Sequence, residues 1–324
     1  MIRIFLTLIA LLLFATPAQA AFPGVPGPIV YTKGESDEGG VRTGGLFAHG
    51  PRRGDAARQL TADPSDSDPA YSRDGRKIAF VRAVESAESP GRVLGSRIYV
   101  MNAEGTGVKP VTDGEFFDSS PSFSPDGRRI VFERRRGERV SSIFSVDLDG
   151  GEERQLTRGA YRDQDPVFAP NGRWIAFVSN RDKDARSDQS DIFSMRSNGS
   201  RVRVLIDGAY DESDPDISPD GRSVVFASDR IRRTSNIFVA RSSGRRVRAL
   251  THADGTCFGS VCFHSPSWSP DGKHIAYIAS SRYRTDFEVM RSDGRRGREF
   301  DGGSVESEGY GSGVGTPAWG AKPR

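Results

Sequence analysis

The chain reads as an all-β protein, a six-bladed β-propeller of four-stranded antiparallel blades, and three observations carry that reading. First, a segment typified by "SFSPDGRRIVFE" recurs along the chain, aligned on Pro69, Pro121, Pro166, Pro215, Pro266 and Pro317 with spacings of 52, 45, 49, 51 and 51. Repetition at such a period marks an array of one supersecondary unit that cannot bury its faces alone. Second, Asp-Gly or Asn-Gly pairs separate apolar runs in five of the copies. Third, the two chain ends hold complementary parts of one repeat.

Taken in order, the stretch "MIRIFLTLIALLLFATPAQA" carries Arg3, an apolar run from Ile4 to Phe14 and the small-x-small end Ala18-Gln19-Ala20. That pattern predicts a secretory signal over residues 1–20, with cleavage after Ala20. The alternative, a membrane anchor, asks for roughly 20 spanning residues, more than the run supplies. The propeller is assigned to residues 21–324, in the periplasm or outside the cell, with no membrane insertion after cleavage. No cysteine follows the cleavage site, so a lipoprotein is not indicated.

Beyond the leader, "PIVYTK", "GLFAHG" and "ARQLTA" read as second, third and fourth strands that lack a first, while "TPAWGA" near the C-terminus reads as a first strand alone. Together they make a sixth blade, so that N-terminal strands and a C-terminal strand close the ring and remove its open edges. In each unit a large apolar residue follows the proline by two: Tyr71, Phe123, Phe168, Ile217, Trp268 or Trp319. The turns Asp74-Gly75, Asp126-Gly127, Asn171-Gly172, Asp220-Gly221 and Asp271-Gly272 come next, where a positive φ suits Gly and Asn. The second strand alternates apolar positions, as at Ile78 and Phe80 or Ile130 and Phe132. Third strands follow as "RIYVMNAEG", "SIFSVDLDG", "DIFSMRSNG", "NIFVARSSG" and "FEVMRSDG", and fourth strands as "KPVTD", "RQLTR", "RVLID", "RALTH" and "REFDG".

Bulk composition excludes more than it assigns. The 46 basic and 43 acidic residues leave a net charge of +3, so no nucleic-acid partner is expected and any electrostatic function must come from arrangement. Thirty-seven glycines and nineteen prolines suit many short strands joined by tight turns. Cys257 and Cys262, in "CFGSVC", predict a disulfide in an oxidising compartment, worth about 2 kcal/mol for so small a loop. A zinc site using His252 and His264 with the same cysteines is the alternative reading.

Candidate site residues cluster at two levels. Three positions before the repeat proline stand Asp66, Asp118, Asp163 and Glu212, replaced by Phe263 and Val314 in the last two copies. If this position leads into the innermost strand, the four carboxylates crowd the mouth of the central channel, joined by Asp68, Asp165 and Asp214. The functional reading is a cation site, calcium being the ion such oxygen ligands suit, or a pocket for a basic group; no resident cofactor is expected. The competing reading has each aspartate bonding backbone N–H groups of its own turn. Arginines crowd the loops between second and third strands, among them Arg134, Arg135, Arg136, Arg181, Arg230 and Arg232. They predict a basic rim that pairs with carboxylate or phosphate, or else a solvated charged surface.

The Asp-x-x-Pro, Ser-Pro-Asp-Gly, Ile-Ala-Phe, Ile-Phe and Leu-Thr pieces resemble the WD-repeat-like propeller repeats of the TolB family, from about Gly27 to Lys322. The resemblance implies a propeller at the bacterial envelope; TolB itself is the periplasmic protein of the Tol-Pal system. In place of the N-terminal α/β domain of TolB, strands here begin directly after the leader. Similar repeats precede the hydrolase domain of prolyl-oligopeptidase-like enzymes and occur in oligogalacturonate lyases; no hydrolase domain is expected here.

Catalytic motifs are missing from the sequence: it holds no Gly-x-Ser-x-Gly elbow, no His-Glu-x-x-His pair and no Walker loop. The expected function is therefore a non-enzymatic binding or protein-interaction module acting as a monomer, with a protein, envelope polymer or glycan as partner. The rival is a polysaccharide lyase or hydrolase using the channel-mouth carboxylates and His264.

Overall fold

The computed structural model describes residues 25–36, 42–50, 55–89, 92–137, 139–149, 151–181, 189–253, 261–281, 285–295, 313–314 and 317–322, and none of these is helical. The expected leader over residues 1–20, its cleavage point, and Cys257 with its disulfide lie outside the described residues. The strands run β1 (Pro26–Ser36), β2 (Arg42–His49), β3 (Arg58–Gln59); β4 (Ser67–Tyr71), β5 (Lys77–Glu85), β6 (Val93–Asn102), β7 (Lys109–Pro110); β8 (Phe117–Phe123), β9 (Arg129–Arg135), β10 (Ser141–Asp147), β11 (Arg154–Gln155). They continue β12 (Asp163–Phe168), β13 (Trp174–Ser179), β14 (Asp191–Arg196), β15 (Arg203–Ile206); β16 (Glu212–Ile217), β17 (Ser223–Ile231), β18 (Thr234–Arg241), β19 (Arg248–Ala249); β20 (Cys262–Trp268), β21 (His274–Ser280), β22 (Thr285–Arg291); β23 (Gly313–Val314) and β24 (Ala318–Ala321).

Each set from β4 to β19 is an antiparallel meander of four strands, the β4–β7 and β8–β11 sets being joined by one parallel bridge between Ser96 and Phe117. The β20–β22 set shows three; its expected fourth strand, "REFDG", lies outside the described residues. At the chain ends β24 pairs antiparallel with β1, Trp319 opposite Ile29, so the last strand completes a sheet begun by the first three.

The turn between first and second strands uses its Asp differently from the hairpin expectation. In Ser72-Arg73-Asp74-Gly75 only Gly75 is left-handed, at φ 69°. Asp74 instead accepts from the Ser72 hydroxyl at 2.7 Å and the Arg76 N–H at 3.1 Å, a four-residue loop rather than a two-residue turn. A Cβ at Gly75 would lie 1.8 Å from the Ala321 carbonyl, so glycine is also required by the approach of the C-terminal strand.

The Leu-Thr pieces also have a physical reason. Fourth strands are mostly two residues long, after which a threonine hydroxyl takes over the ladder: Thr61, Thr112, Thr157 and Thr251 accept from the N–H of Leu46, Ile98, Ile143 and Ile237 at 2.9–3.0 Å.

Second strands are buried more evenly than period-two alternation suggests. Ile78, Ala79 and Phe80 are all fully buried, as are Ile130, Val131 and Phe132. The reason is that both faces of a sheet are covered, by a different neighbour on each side. One apolar cluster joins Phe132 and Ile130 to Val81 and Ile98 of the preceding set; another joins Val131 and Ile143 to Phe177 and Phe193 of the following one. The same sharing links the third set to the fourth, the fourth to the fifth, the fifth to the terminal sheet through Trp319 and Phe287, and the terminal sheet to the first set through Val30 and Phe80. Trp319 also donates its indole N–H to the Gly27 carbonyl at 3.1 Å.

Replacing Trp319 by alanine is expected to cost about 3–5 kcal/mol, the usual range for an aromatic lost from a packed core. Urea unfolding of the two proteins would show the midpoint shift; an unchanged midpoint would mean that the C-terminal strand contributes little.

Candidate functional site

The four carboxylates three positions before the proline are buried inside their own sheets rather than set around the channel. Asp66, Asp118, Asp163 and Glu212 are at most 1% exposed. Each is bound by an arginine from the end of the second strand. Arg82 grips Asp66 with two bonds of 2.6 and 2.8 Å, and Arg134 grips Asp118 at 2.7 and 2.9 Å while also reaching Glu153 at 2.6 Å. Arg181 holds Asp163 at 2.8 and 2.9 Å, where the Ser179 hydroxyl adds a bond of 2.6 Å, and Arg230 pairs with Glu212. Neither the channel-mouth expectation nor the own-turn alternative describes this arrangement.

The guanidinium of each pair lies over aromatic rings of the same sheet. Phe80 stacks on Tyr99, Phe132 on Phe144, and Phe226 on Phe238, with centroids 5.6–5.9 Å apart. Arg82, Arg134 and Arg230 sit 5.0–5.6 Å above those rings, and Arg181 lies over Phe177 and Phe193. Cation–π attraction and a bidentate ion pair thus fix one side chain from two directions. Burial raises the proton affinity of Asp66 against the opposing bond from Arg82, and pushes Glu212 up to about 7 against Arg230. Burial works against the Arg134 charge too, but its bonds to Asp118 and Glu153 outweigh it and raise its pKa. In the fifth set Phe263 occupies the carboxylate position and meets Tyr277 edge-on at 5.8 Å, an apolar replacement for the ion pair.

The residues directly before the prolines reach the channel. Asp68, Ser120, Asp165, Asp214 and Ser265 all have φ between 47° and 51°, and all line a cavity of about 300 Å³ enclosed by the inner strands. Inner strands of neighbouring sets do not pair as sheet, and side-chain oxygens bond across the gaps. Asp214 accepts from the Ser265 N–H at 3.1 Å, Asp165 from the Ser120 hydroxyl at 2.9 Å, Ser122 from the Phe168 N–H at 3.2 Å and Asp216 from the Trp268 N–H at 2.7 Å. Burial and the nearby Asp214 and Glu133 charges hold the Asp165 carboxyl well above its usual range. Among the described residues no three His, Cys, Asp or Glu side chains converge as a metal-ligand set.

Glu133 stands where the other units carry an apolar residue inside a strand, opposite Ser119 on β8. It is buried, and burial pushes its carboxyl up to about 7 against hydrogen bonds to Ser141, Gln164 and Ser119. His264, on β20, is held between the Ser265 and Ser280 hydroxyls at 3.1 and 3.0 Å, and burial lowers its pKa against the pull of Asp214.

Of the expected basic rim, Arg134 belongs to the buried pairs, while Arg135, Arg136 and Arg232 are exposed. Arg135 lies 4.4 Å over the Phe117 ring, Arg136 covers Phe116, and Arg233 stands 5.8 Å from the Tyr210 ring. These aromatics, with the exposed Tyr161, precede the buried carboxylates, and sequence reasoning alone does not single them out as a group. Arg232 and Arg233 form the two-residue turn between β17 and β18, at φ 51° and 59°, where Asn and Gly are normally preferred.

Comparison with known proteins places the fold. Residues 52–186 match the model of the TolB beta propeller domain. The structure of TolB from Acinetobacter baumannii superposes with a TM-score of 0.70 at 21% identity, over 91% of this chain and 67% of that one. A putative TolB from Agrobacterium tumefaciens gives 0.59 at 23% identity, over 83% of this chain and 99% of its own. The uncharacterized peptidase YuxL of Bacillus subtilis (strain 168) is 34% identical over 76 residues, which span 24% of this chain and 11% of the peptidase. The chain is therefore a TolB-like β-propeller in fold.

Asp118→Ala is expected to destabilise the protein by about 2–3 kcal/mol because it leaves the buried Arg134 with Glu153 as its carboxylate partner, and Asp118→Ala/Arg134→Met should regain most of that loss. Equal urea midpoints for Asp118→Ala and the parent would contradict the arrangement. Glu133 carries a different signature. Its carboxyl titrates at about 7 when folded against 4.5 in the free chain, so the native state holds the extra proton between those values and stability falls as pH rises across them. Glu133→Gln should remove that slope and add on the order of 3 kcal/mol at pH near 8; thermal melts at both ends of the window decide it.

Proposed function

We propose that the chain is a six-bladed propeller closed by its terminal sheet, and that it serves as a non-enzymatic binding module at the bacterial envelope. The ring is supported by contacts that run from β4 to β8, β12, β16, β20, β24 and back to β4. The leader and the Cys257–Cys262 bridge belong to the same proposal: a secreted or periplasmic protein in an oxidising compartment, its TolB-like fold in keeping with that place.

The observation that carries the binding role is the row of exposed arginines stacked on aromatics, Arg135 on Phe117, Arg136 on Phe116 and Arg233 on Tyr210. Guanidinium groups set over rings can still direct N–H donors to carboxylate or phosphate. The partner proposed is an acidic polymer, a glycan or an anionic protein surface. The rival lyase or hydrolase finds less support, because the four buried carboxylates it would use for proton transfer are engaged by arginines. The strained Arg232-Arg233 turn fits the same reading, since left-handed geometry costs an L-residue about 1–2 kcal/mol.

Two variants test the role. Arg135→Ala/Arg136→Ala should weaken salt-sensitive binding to polygalacturonate by about tenfold or more, with neutral dextran bound by neither protein. Arg232→Asn/Arg233→Gly should weaken binding while raising stability by about 1–2 kcal/mol. Polygalacturonate cleaved into unsaturated products would return the enzyme reading to the front, and unchanged binding in both variants would remove the loop face from consideration.

A further inference from the structure

The fourth residue after each repeat proline is Arg73, Pro125, Pro170, Pro219, Pro270 or Ala321. Four units thus place a proline there, one an alanine and one an arginine, at the end of the channel formed by the tight first-to-second-strand turns. All six residues line the 300 Å³ cavity, whose walls also include Tyr71, Phe123, Phe168, Trp268 and Trp319. Arg73 is half-buried and is the one cation among the lining residues. Its Nη1 donates to the Pro170 carbonyl, two units away in sequence, so the side chain reaches across the cavity instead of out to solvent.

The carboxylates in the same cavity sit elsewhere or are engaged. Asp68, Asp165 and Asp214 stand at the opposite end of the inner strands from the turns that carry Arg73. Asp216 accepts from two backbone N–H groups, those of Trp268 at 2.7 Å and Ile217 at 2.8 Å. The turn end is an apolar, aromatic-walled space with Arg73 as the one cation among its lining residues, the composition of a small-ligand pocket.

We propose that the turn end of the channel binds a small monocarboxylate with an apolar body, the carboxylate on the Arg73 guanidinium and the body against the proline and aromatic walls. One guanidinium fork matches one carboxylate in a bidentate pair. A phosphate would bring about two charges into a cavity whose far end is already acidic. The turn end is one part of a channel cavity of about 300 Å³, itself at the lower bound for ligand pockets, which restricts the ligand to about phenylacetate size. The site lies at the opposite end of the channel from the exposed arginine row and does not depend on the polymer-binding proposal.

The test is titration of the full-length mature protein with phenylacetate, indole-3-acetate and hexanoate, with their matching amides, and with inorganic phosphate, followed by NMR and calorimetry. At least one carboxylate should saturate with a Kd of about 1 mM or tighter, its amide should bind about tenfold or more weakly, and phosphate should not compete. Arg73→Pro installs the residue that four other units carry at this position; it should abolish carboxylate binding, as should Arg73→Gln, with Arg73→Lys retaining part. Equal binding of acid and amide, binding that survives both Arg73→Pro and Arg73→Gln, or no binding of any of the three carboxylates at about 10 mM would overturn the proposal.

Discussion

Every sheet in this protein must be covered on both faces, and each covers its neighbours. A four-stranded meander of about forty residues has no core of its own, so its apolar positions are stable only when a second sheet lies against each side. That constraint makes the second strands continuously apolar, puts alanine or valine between the isoleucine and phenylalanine of "IAF" and "IVF", and gives Trp319 its place between the terminal sheet and the fifth set. It also explains why the two chain ends meet: a sheet lacking its innermost strand would leave one flank of its neighbours open.

Packing alone would leave the inner strands poorly joined, because they converge toward the axis without pairing as sheet. Polar side chains supply the missing links. Asp214, Ser122 and Asp216 accept from backbone N–H groups of the next unit, so these oxygens replace a ladder between the second and third sets and between the fourth and fifth. Farther out, the carboxylate, arginine and aromatic pair form a bracket that ties the start of each first strand to the end of the second. In the fifth set an edge-on contact between Phe263 and Tyr277 serves in its place. The two solutions occupy equivalent positions, which indicates that the requirement there is attachment rather than charge.

This division of labour directs attention away from the most conspicuous acidic residues. The repeated carboxylates are structural because their charge is matched within the fold. The groups proposed for recognition depart from the repeat: the arginines near aromatic rings at one end of the channel, and Arg73, which interrupts a set of prolines at the other. Strain agrees with that view at Arg232 and Arg233, where the chain keeps two long cationic side chains in a turn better suited to Asn-Gly.

The period, the strand order within a unit, the tight turns and the complementary chain ends are all legible in the order of residues, because they follow from local patterning and from the need of each repeat for neighbours. The exposed place of Arg232 is legible too, since the turn between strands is solvated, whereas Arg135 is the exposed last residue of β9. Which carboxylates face the channel is settled by three-dimensional packing instead. Asp66 and Asp68 are two residues apart and would share a face in a regular strand. The left-handed residue before the proline shifts the register between Ser67 and Ala70, so Asp66 enters its own sheet while Asp68 lines the cavity. Such an irregularity reverses the facing of side chains and leaves no periodic trace. Glu133 and Arg73 stand out from the repeat in sequence, but their burial and their partners come from the neighbouring units.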